Sequence, residues 1–385
     1  MKIHIVPGIG SEASGPSYCV PMLCESLLIH DDLLELLVLK MGENGKKESY
    51  VKYFDLSRFY PQKIGLSYDF FAYFIKKIIK NKPNIVHSHG LWMFPNILPG
   101  FLAYFFNFNL VVSPHGCMTE YAFSIGSKFK YLYWVLIQKN ALKKVKLFHA
   151  TSFEEYKDIR RLGFKQPVAI IPWGISLPEI IVNTEKNKKH ILYLGRIHPN
   201  KGLDFLVKIW AKLEKEFSDW ELHIVGPETG FFDDETSYLN HLKNLCKTFS
   251  LKSVKFKKAV YGNEKNEHYQ RASFTVLLSH SENFAMTVAE SLACGTPSIV
   301  SKSAPWSGLD ITNSGYWVDM DEETVLKAFK KAMSLDENEV ALMGNNAREW
   351  MKKEFSWDNI SEQFNQAYEW AANNSLTKPE FIKLD

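Results

Sequence analysis

Residues 274–301 read FTVLLSHSENFAMTVAESLACGTPSIVS. Phe274–Leu278 is a short apolar run that suits a buried strand. The polar stretch Ser279–Ala285 follows, and Met286–Ala293 reads as a helix, closed by the Gly295-Thr296-Pro297 stop. Ser298–Ser301 is a second apolar run. Strand, helix, strand at this spacing is a βαβ unit, with parallel strands and a right-handed crossover.

The same alternation extends in both directions. Upstream in the second half lie strand Ile191–Leu194, helix Leu203–Phe217, strand Glu221–Val225, helix Ser237–Phe249 and strand Val254–Phe256; helix Glu322–Ser334 lies downstream. The first half reads strand Ile3–Val6, helix Tyr18–Leu28, strand Leu36–Lys40, helix Tyr68–Lys80, strand Ile85–His87, strand Leu110–Ser113, helix Lys128–Leu142, strand Leu147–Ala150 and strand Ala169–Ile171. The polar stretch Asn183–Lys189 separates the halves, within a linker near 176–189. Two such sets predict an α/β chain of two Rossmann-like domains, each with a parallel sheet. Ligands of such sheets bind beyond the carboxyl ends of the strands. A cleft between two of them suits two substrates.

Composition agrees. The chain has 385 residues and 44.4 kDa, a length for two or three domains. With 46 % apolar and 23 % charged residues it is neither disordered nor low-complexity. A net charge of +3 argues against a dedicated DNA binder. Five scattered cysteines, Cys19, Cys24, Cys117, Cys246 and Cys294, form no CxxC pair, so reduced thiols in a cytoplasmic protein are expected. The N-terminal apolar run is too short for a signal-peptide core. No window reaches the roughly 20 apolar residues of a spanning helix; the nearest, Phe101–Val112, contains Asn107 and Asn109. Residues 68–82 and 128–146 mix aromatics with lysines. Each reads either as a helix lying on an anionic bilayer or as an ordinary helix with its aromatic stripe in the core.

Four segments carry candidate chemistry. Glu282 lies in the loop after strand Phe274–Leu278, and Glu290 on the next helix. Carboxylates at these places can accept bonds from sugar hydroxyls, and the helix N-terminus with the loop amides forms an anion site; solvated charge is the plain alternative. Arg196 and Lys201, in GRIHPNKG between a strand and a helix, can grip a diphosphate, one by a bidentate fork and one by a point charge; a solvated basic turn reads equally well. They lack the spacing of a P-loop. The loop Gly8-Ile9-Gly10-Ser11-Glu12-Ala13-Ser14-Gly15 lets backbone approach a phosphate. His115, in Ser113-Pro114-His115-Gly116 at a strand's end, can bond a hydroxyl or move a proton, or serve only as a hydrogen-bonded loop histidine. His87, His89 and Trp92 are comparable, weaker candidates. No HExxH occurs and no Asp-x-Asp follows a predicted strand, so no metal site is expected.

Together and in this order, these segments closely resemble the retaining GT-B glycosyltransferases of glycosyltransferase family 4, or group 1. The resemblance covers nearly the whole chain. Its E-x7-E motif falls on Glu282 and Glu290, its diphosphate-gripping cations on Arg196 and Lys201, its His-Gly element on His115-Gly116, and its N-terminal glycine loop on Gly8–Gly15. The resemblance implies the GT-B fold: α/β, two Rossmann-like domains with parallel sheets facing across a deep cleft. Residues 1–176 would form the acceptor-binding domain, joined by a C-terminal helix at about 357–385. Residues 177–356 would form the nucleotide-sugar donor domain. A hexose or N-acetylhexosamine would pass from a nucleotide diphosphate sugar, UDP by family frequency, with retention of configuration.

In that scheme Glu282 contacts the donor hexose and Glu290 the ribose. The backbone of Asn283, Phe284 and Ala285 contacts sugar or phosphate, and Met286 and Thr287 cap the phosphate. His115 contacts the donor sugar, Gly10 lines the donor, and His89 and Trp92 face the acceptor. Attack is front-face, with the leaving diphosphate helping to take the acceptor proton. Arg196 and Lys201 stabilise the charge growing on it, so no metal and no cofactor are called for. The acceptor is expected to be a lipid-linked saccharide in O-antigen, capsule or exopolysaccharide synthesis, with peripheral contact at the inner membrane face and no nucleic-acid partner. Two departures stand out. Gly15-Pro16 replaces a Gly-Gly pair common among relatives, removing a backbone donor. Phe256-Lys257-Lys258 stands where a glycine is usual beside the nucleotide base. Two competing readings are a GT-B nucleotide-sugar 2-epimerase, with Glu120 and Glu154 as acid and base, and a non-catalytic nucleotide-sugar-binding protein.

Overall fold

The structure, a computed structural model, describes all residues except 10–14, 30–32, 42–47, 60, 125–128, 181–188, 228–234 and 385. The chain forms two compact units. The first is Met1–Gly174 with Trp357–Asp385, the second Ile175–Ser356, against the expected 1–176 with 357–385 and 177–356.

The first unit holds parallel strands β1 (Lys2–Val6), β2 (Leu34–Leu39), β3 (Val51–Phe54), β4 (Ile85–His89), β5 (Asn109–Ser113), β6 (Leu147–Ala150) and β7 (Val168–Ile170), in the order β7-β6-β5-β4-β1-β2-β3. Helices cover both faces, so the strands are apolar throughout. Ile3, Ile5, Val86, Leu110, Val112 and Phe148 join Phe70, Phe74 and Ile78 in one core. β4 breaks the rule: His87, Ser88 and His89 are as buried as its apolar residues.

The two aromatic, basic segments part ways. In helix Tyr68–Asn81, capped by Ser67 Oγ accepting from the Phe70 amide, Phe70, Phe74 and Ile78 point into the core at i, i+4, i+8 spacing. Its aromatic stripe is thus in the core, while Tyr68, Phe71 and Ile79 of the same helix are exposed. The expected single helix 128–142 is instead Phe129–Tyr133, a π-helical turn Trp134–Gln138 and a short turn Lys139–Ala141. Only Trp134 and Gln138 of the middle piece are buried. Phe129, Tyr131, Leu132, Val135, Leu136 and Ile137 are exposed. Helix Phe94–Leu102, absent from the sequence reading because Pro95 and Pro99 interrupt it, packs beside this segment through Gly100 and Ala141, and adds Phe101 and the adjoining Tyr104 and Phe105 to the exposed set.

The second unit holds β8 (Lys189–Leu194), β9 (Trp220–Val225), β10 (Val254–Lys257), β11 (Phe274–Leu277), β12 (Ser298–Ser301) and β13 (Gly315–Val318), all parallel, in the order β10-β9-β8-β11-β12-β13. Chain order reverses between β8 and β11. That switch point is where a crevice opens beyond the strands' carboxyl ends.

Helix Trp357–Ala372 then returns to the first unit, where Ser26 Oγ donates to the Trp357 carbonyl and Lys2 Nζ to Asn365 Oδ1. A Cβ on Gly174 would meet the Trp357 ring at 2.4 Å. The tail ends in β14 (Ile382–Lys383), antiparallel to β7.

Candidate active site

The two segments singled out in the second half meet at the β8/β11 switch point. The loop after β8 closes through a 3₁₀ turn, Pro199–Lys201, and enters helix Leu203–Leu213 at Gly202. Gly202 sits at φ 62°, and a Cβ there would lie 2.1 Å from the Leu278 carbonyl oxygen. Only glycine allows that approach. Asn200 ties the loops together, its side chain donating to the Ser281 carbonyl at 2.8 Å and its carbonyl accepting from the His280 amide at 2.8 Å.

Lys201 Nζ lies 2.5 Å from Glu282 Oε1, with the side chains 18 % and 10 % exposed. Ser279 Oγ donates to the same oxygen at 2.6 Å. Arg196 is exposed on the same loop and makes no ion pair among the described residues. Ala285 adopts φ 64° and serves as N-cap of helix Met286–Ala293, with no side-chain cap. Uncapped helix N-termini of this kind suit anions. Phe284 is committed to packing: its ring is buried against Trp306, whose indole donates to the Phe284 carbonyl at 2.6 Å. Asn283, Ala285, Met286 and Thr287 are half-buried. Glu290 is engaged as well: Lys265 Nζ lies 2.7 Å from one oxygen and the Tyr269 hydroxyl donates to the other at 3.0 Å. Lys265 and Tyr269 were missed because their helix, Gly262–Arg271, has no apolar stripe that marks it in the sequence.

In the first unit His115 stands in the left-handed region at φ 52°. Such strain persists only when neighbours hold it. The holder is Glu155, a buried carboxylate accepting from the Gly116 amide at 2.8 Å, the Thr151 amide at 2.8 Å and the Thr151 hydroxyl at 3.0 Å. Sequence reading passed it over for Glu154 and Glu120. Those two are solvated, paired with Lys157 and Arg161, so the acid and base an epimerase would need are not in a buried site.

His89 does not face outward as an acceptor contact would. It is 1 % exposed, with Nε2 bonded to His4 Nδ1 at 3.0 Å and Nδ1 to His115 Nε2 at 3.1 Å. Trp92 is taken by structure too. Its amide donates to Gln138, its ring packs with Phe123, Tyr133 and Trp134, and the Lys130 ammonium lies over it at 5.0 Å. Gly10 lies outside the described residues.

A second histidine chain runs beside the first. The Tyr368 hydroxyl meets His87 Nδ1 at 2.7 Å, and His87 Nε2 meets Ser113 Oγ at 2.6 Å. Ser113 Oγ meets His149 Nδ1 at 2.6 Å, and His149 Nε2 donates to the Ile171 carbonyl at 2.8 Å. Burial holds every ring of both chains below the usual histidine range, His4 at about 3 and His149 at about 4, so all are neutral at pH 7. His4, His87 and His89 bring ring nitrogens within 4.8 Å of one another. His87 has both nitrogens bonded and His4 is bonded to His89, so the trio is a hydrogen-bonded core rather than a ready metal cage. The five cysteines are free thiols; burial raises Cys117 and Cys246 to about 11 and Cys294 to about 12.

Both halves match known families. The profile described as glycosyl transferases group 1 matches residues 179–350, and that described as Glycosyltransferase Family 4 matches residues 36–178. The chain belongs to the group 1, family 4 glycosyltransferases and has their GT-B fold. It is 34 % identical over 113 residues to mannosylfructose-phosphate synthase of Agrobacterium fabrum, a match covering 29 % of this chain and 25 % of that protein. It is 33 % identical over 118 residues to an uncharacterized glycosyltransferase of Haemophilus influenzae, covering 30 % and 31 %. The chain thus matches about a quarter to a third of the length of these curated relatives. Among solved structures it is similar to sucrose-phosphate synthase of Thermosynechococcus elongatus, with TM-score 0.72, 20 % identity and 96 % and 98 % of the chains covered. It is similar, too, to Anabaena Alr3699/HepE in complex with UDP-glucose, with TM-score 0.72, 14 % identity and 96 % and 99 % covered. A third is WaaG, a glycosyltransferase involved in lipopolysaccharide biosynthesis, with TM-score 0.71, 13 % identity and 97 % and 100 % covered.

Proposed function

We propose that this glycosyltransferase moves a hexose or N-acetylhexosamine from a UDP-sugar to a saccharide acceptor with retention of configuration and without a metal. The observation that carries this is the Lys201–Glu282 pair at the β8/β11 switch point, with Arg196 exposed on the same loop. Cations and a helix N-terminus converge where a diphosphate would sit, and a carboxylate stands beside them for a hexose hydroxyl. Arg196 and Lys201 stabilise the charge that grows on the departing diphosphate, so they supply what a divalent cation would. Glu282 orients the sugar, Glu290 takes the ribose, and His115 contacts the donor sugar. The UDP-glucose complex of a structural neighbour supports the choice of nucleotide.

The acceptor is a lipid-linked saccharide of a surface polysaccharide, and the protein works at the inner face of the cytoplasmic membrane. Among the described residues no helix is long and apolar enough to cross a bilayer. The exposed set Phe101, Tyr104, Phe105, Phe129, Leu132 and Leu136, flanked by exposed Lys143, Lys144 and Lys146, supports peripheral contact instead.

The test is a thermal-shift panel of nucleotide sugars in a chelator. A ligand of the folded state adds roughly 2.7 kcal/mol at a hundred times its dissociation constant. One UDP-sugar should raise the midpoint, and Arg196→Ala should abolish the shift; no shift with any donor would overturn the reading. The anomeric configuration of the product decides retention. Flotation with anionic but not zwitterionic vesicles, lost in Phe129→Ser/Leu136→Ser, decides the membrane contact.

A further inference from the structure

The two histidine chains differ in one respect: whether their proton order is fixed. In the Tyr368–His87–Ser113–His149 chain the Ile171 carbonyl can only accept, so His149 carries its proton on Nε2 and bares Nδ1. Ser113 must then donate to His149, His87 donates from Nε2 to Ser113, and Tyr368 donates to His87. The His4–His89–His115 chain has no such anchor. Its terminal atoms, His4 Nε2 and His115 Nδ1, are both buried without a partner. Two proton orders satisfy its interior bonds. In one, His4 Nδ1–H donates to His89 and His89 Nδ1–H donates to His115, leaving an N–H on His115 Nδ1. In the other every donor reverses, leaving the N–H on His4 Nε2.

The surroundings choose between them. His4 is fully buried, whereas His115 is half-buried at a loop. An unpaired N–H is the rarer and costlier orphan, so it belongs on the half-buried loop residue rather than on the ring sealed in the core. We propose that His4 and His89 are positioning residues that fix His115 as a neutral imidazole with its proton on Nδ1, making it an N–H donor to an oxygen of the sugar donor. This rests on the reading of His115 as a donor-sugar contact. Glu155 sets the backbone of that turn; the histidine chain sets its proton.

The experiment is long-range ¹H–¹⁵N correlation on ¹⁵N-histidine-labelled full-length protein at neutral pH. His115 is assigned from the spectrum missing in His115→Ala. The expected result is a protonated Nδ1 and a bare Nε2 on His115. A protonated Nε2, or an imidazolium, overturns the proposal. His4→Leu should yield mixed His115 tautomers and raise KM for the nucleotide sugar about three- to tenfold, the worth of one hydrogen bond, with UDP affinity unchanged. His4→Asn, which can still donate to His89 Nε2, should restore the wild-type spectrum. Tyr368→Phe cuts only the anchored chain and should leave His115 alone. An unchanged His115 tautomer in folded His4→Leu refutes the role of His4. If His4→Leu does not fold, the wild-type spectrum and His4→Asn decide. A His115→Ala enzyme with full turnover sinks the sugar-contact reading while leaving the tautomer result standing, so the two failures are separable.

Discussion

Glu282→Gln is expected to move two properties in opposite directions. In the unliganded enzyme the cation proposed to grip the diphosphate is already engaged, 2.5 Å from Glu282 Oε1. A diphosphate must win Lys201 from that carboxylate. Exposed pairs are worth about 0.2–1 kcal/mol, and stripping one partner from a fully buried pair costs about 3–5 kcal/mol. With side chains 18 % and 10 % exposed, this pair falls between those limits. Glutamine keeps the shape and still accepts from Ser279 and Lys201, but without charge. Relieving the competition by roughly 1 kcal/mol should tighten UDP binding about fivefold. Turnover should fall, because a charge-assisted bond to the hexose is lost; at about 1.5–3 kcal/mol the drop in kcat/KM is about tenfold to more than a hundredfold. Calorimetric titration with UDP and initial rates with the UDP-sugar measure the two effects. Glu290→Gln is the control: its carboxylate pairs with Lys265, not Lys201, so it should not tighten UDP by this route. If UDP affinity of Glu282→Gln is unchanged or weaker, Glu282 does not compete for the phosphate cation, and the geometry has been misread.

Three further outcomes follow from particular contacts. Gly202→Ala should lower stability by about 1–3 kcal/mol through its positive φ and the clash with the Leu278 carbonyl, seen as a lower urea midpoint; an unshifted midpoint would show that the loop yields freely. Glu155→Ala strands the Gly116 and Thr151 donors at roughly 1–3 kcal/mol for each buried group, and should cut turnover by releasing the His115 turn; a fully active, equally stable variant would remove Glu155 from that role. The buried histidines make acid destabilising: His4 and His149 have folded values of about 3 and 4 against 6.5, so the unfolded chain binds more protons between those limits. Their stability contribution is complete above about pH 6.5 and falls as pH drops toward 4, by up to about 1.4 kcal/mol per pH unit for each group. Melting temperatures flat between pH 7 and 5 would contradict it.

The second unit was more legible than the first, for a physical reason. Its strands are short apolar runs bounded by polar loops, and its phosphate-side chemistry lies in those loops, where spacing along the chain is spacing in the site. Arg196, Lys201 and Glu282 were therefore readable. Lys265, Tyr269 and Trp306 lie 21 to 25 residues away in sequence from the site residues they touch, and no local pattern announces them. The π-helical turn Trp134–Gln138 was invisible because its sequence keeps the apolar content of a helix; what changed is which side chains turn outward. Helix Phe94–Leu102 was hidden by its prolines: Pro95, which a first turn tolerates, and Pro99 inside the helix.

The first unit was opaque where it matters because its polar residues lie inside strands. A parallel strand covered on both faces should be apolar along its length, and β4 carries His87-Ser88-His89 instead. Taken alone, that triplet looks like the start of a loop, and the sequence marks the strand only as far as His87. Structure shows the opposite: the strand continues, and its polar side chains are satisfied by other polar groups on β1, β5, the loop after β5, helix Phe94–Leu102 and the C-terminal helix. Such a network is stable only when nearly every member has a partner. Here the described exceptions in the histidine chains are His4 Nε2 and His115 Nδ1, one at each end of a single chain. An interior that breaks the apolar rule, satisfies almost every resulting bond and leaves one ring nitrogen of a strained loop residue without a partner is not explained by stability. It makes sense if that end is completed by a ligand oxygen.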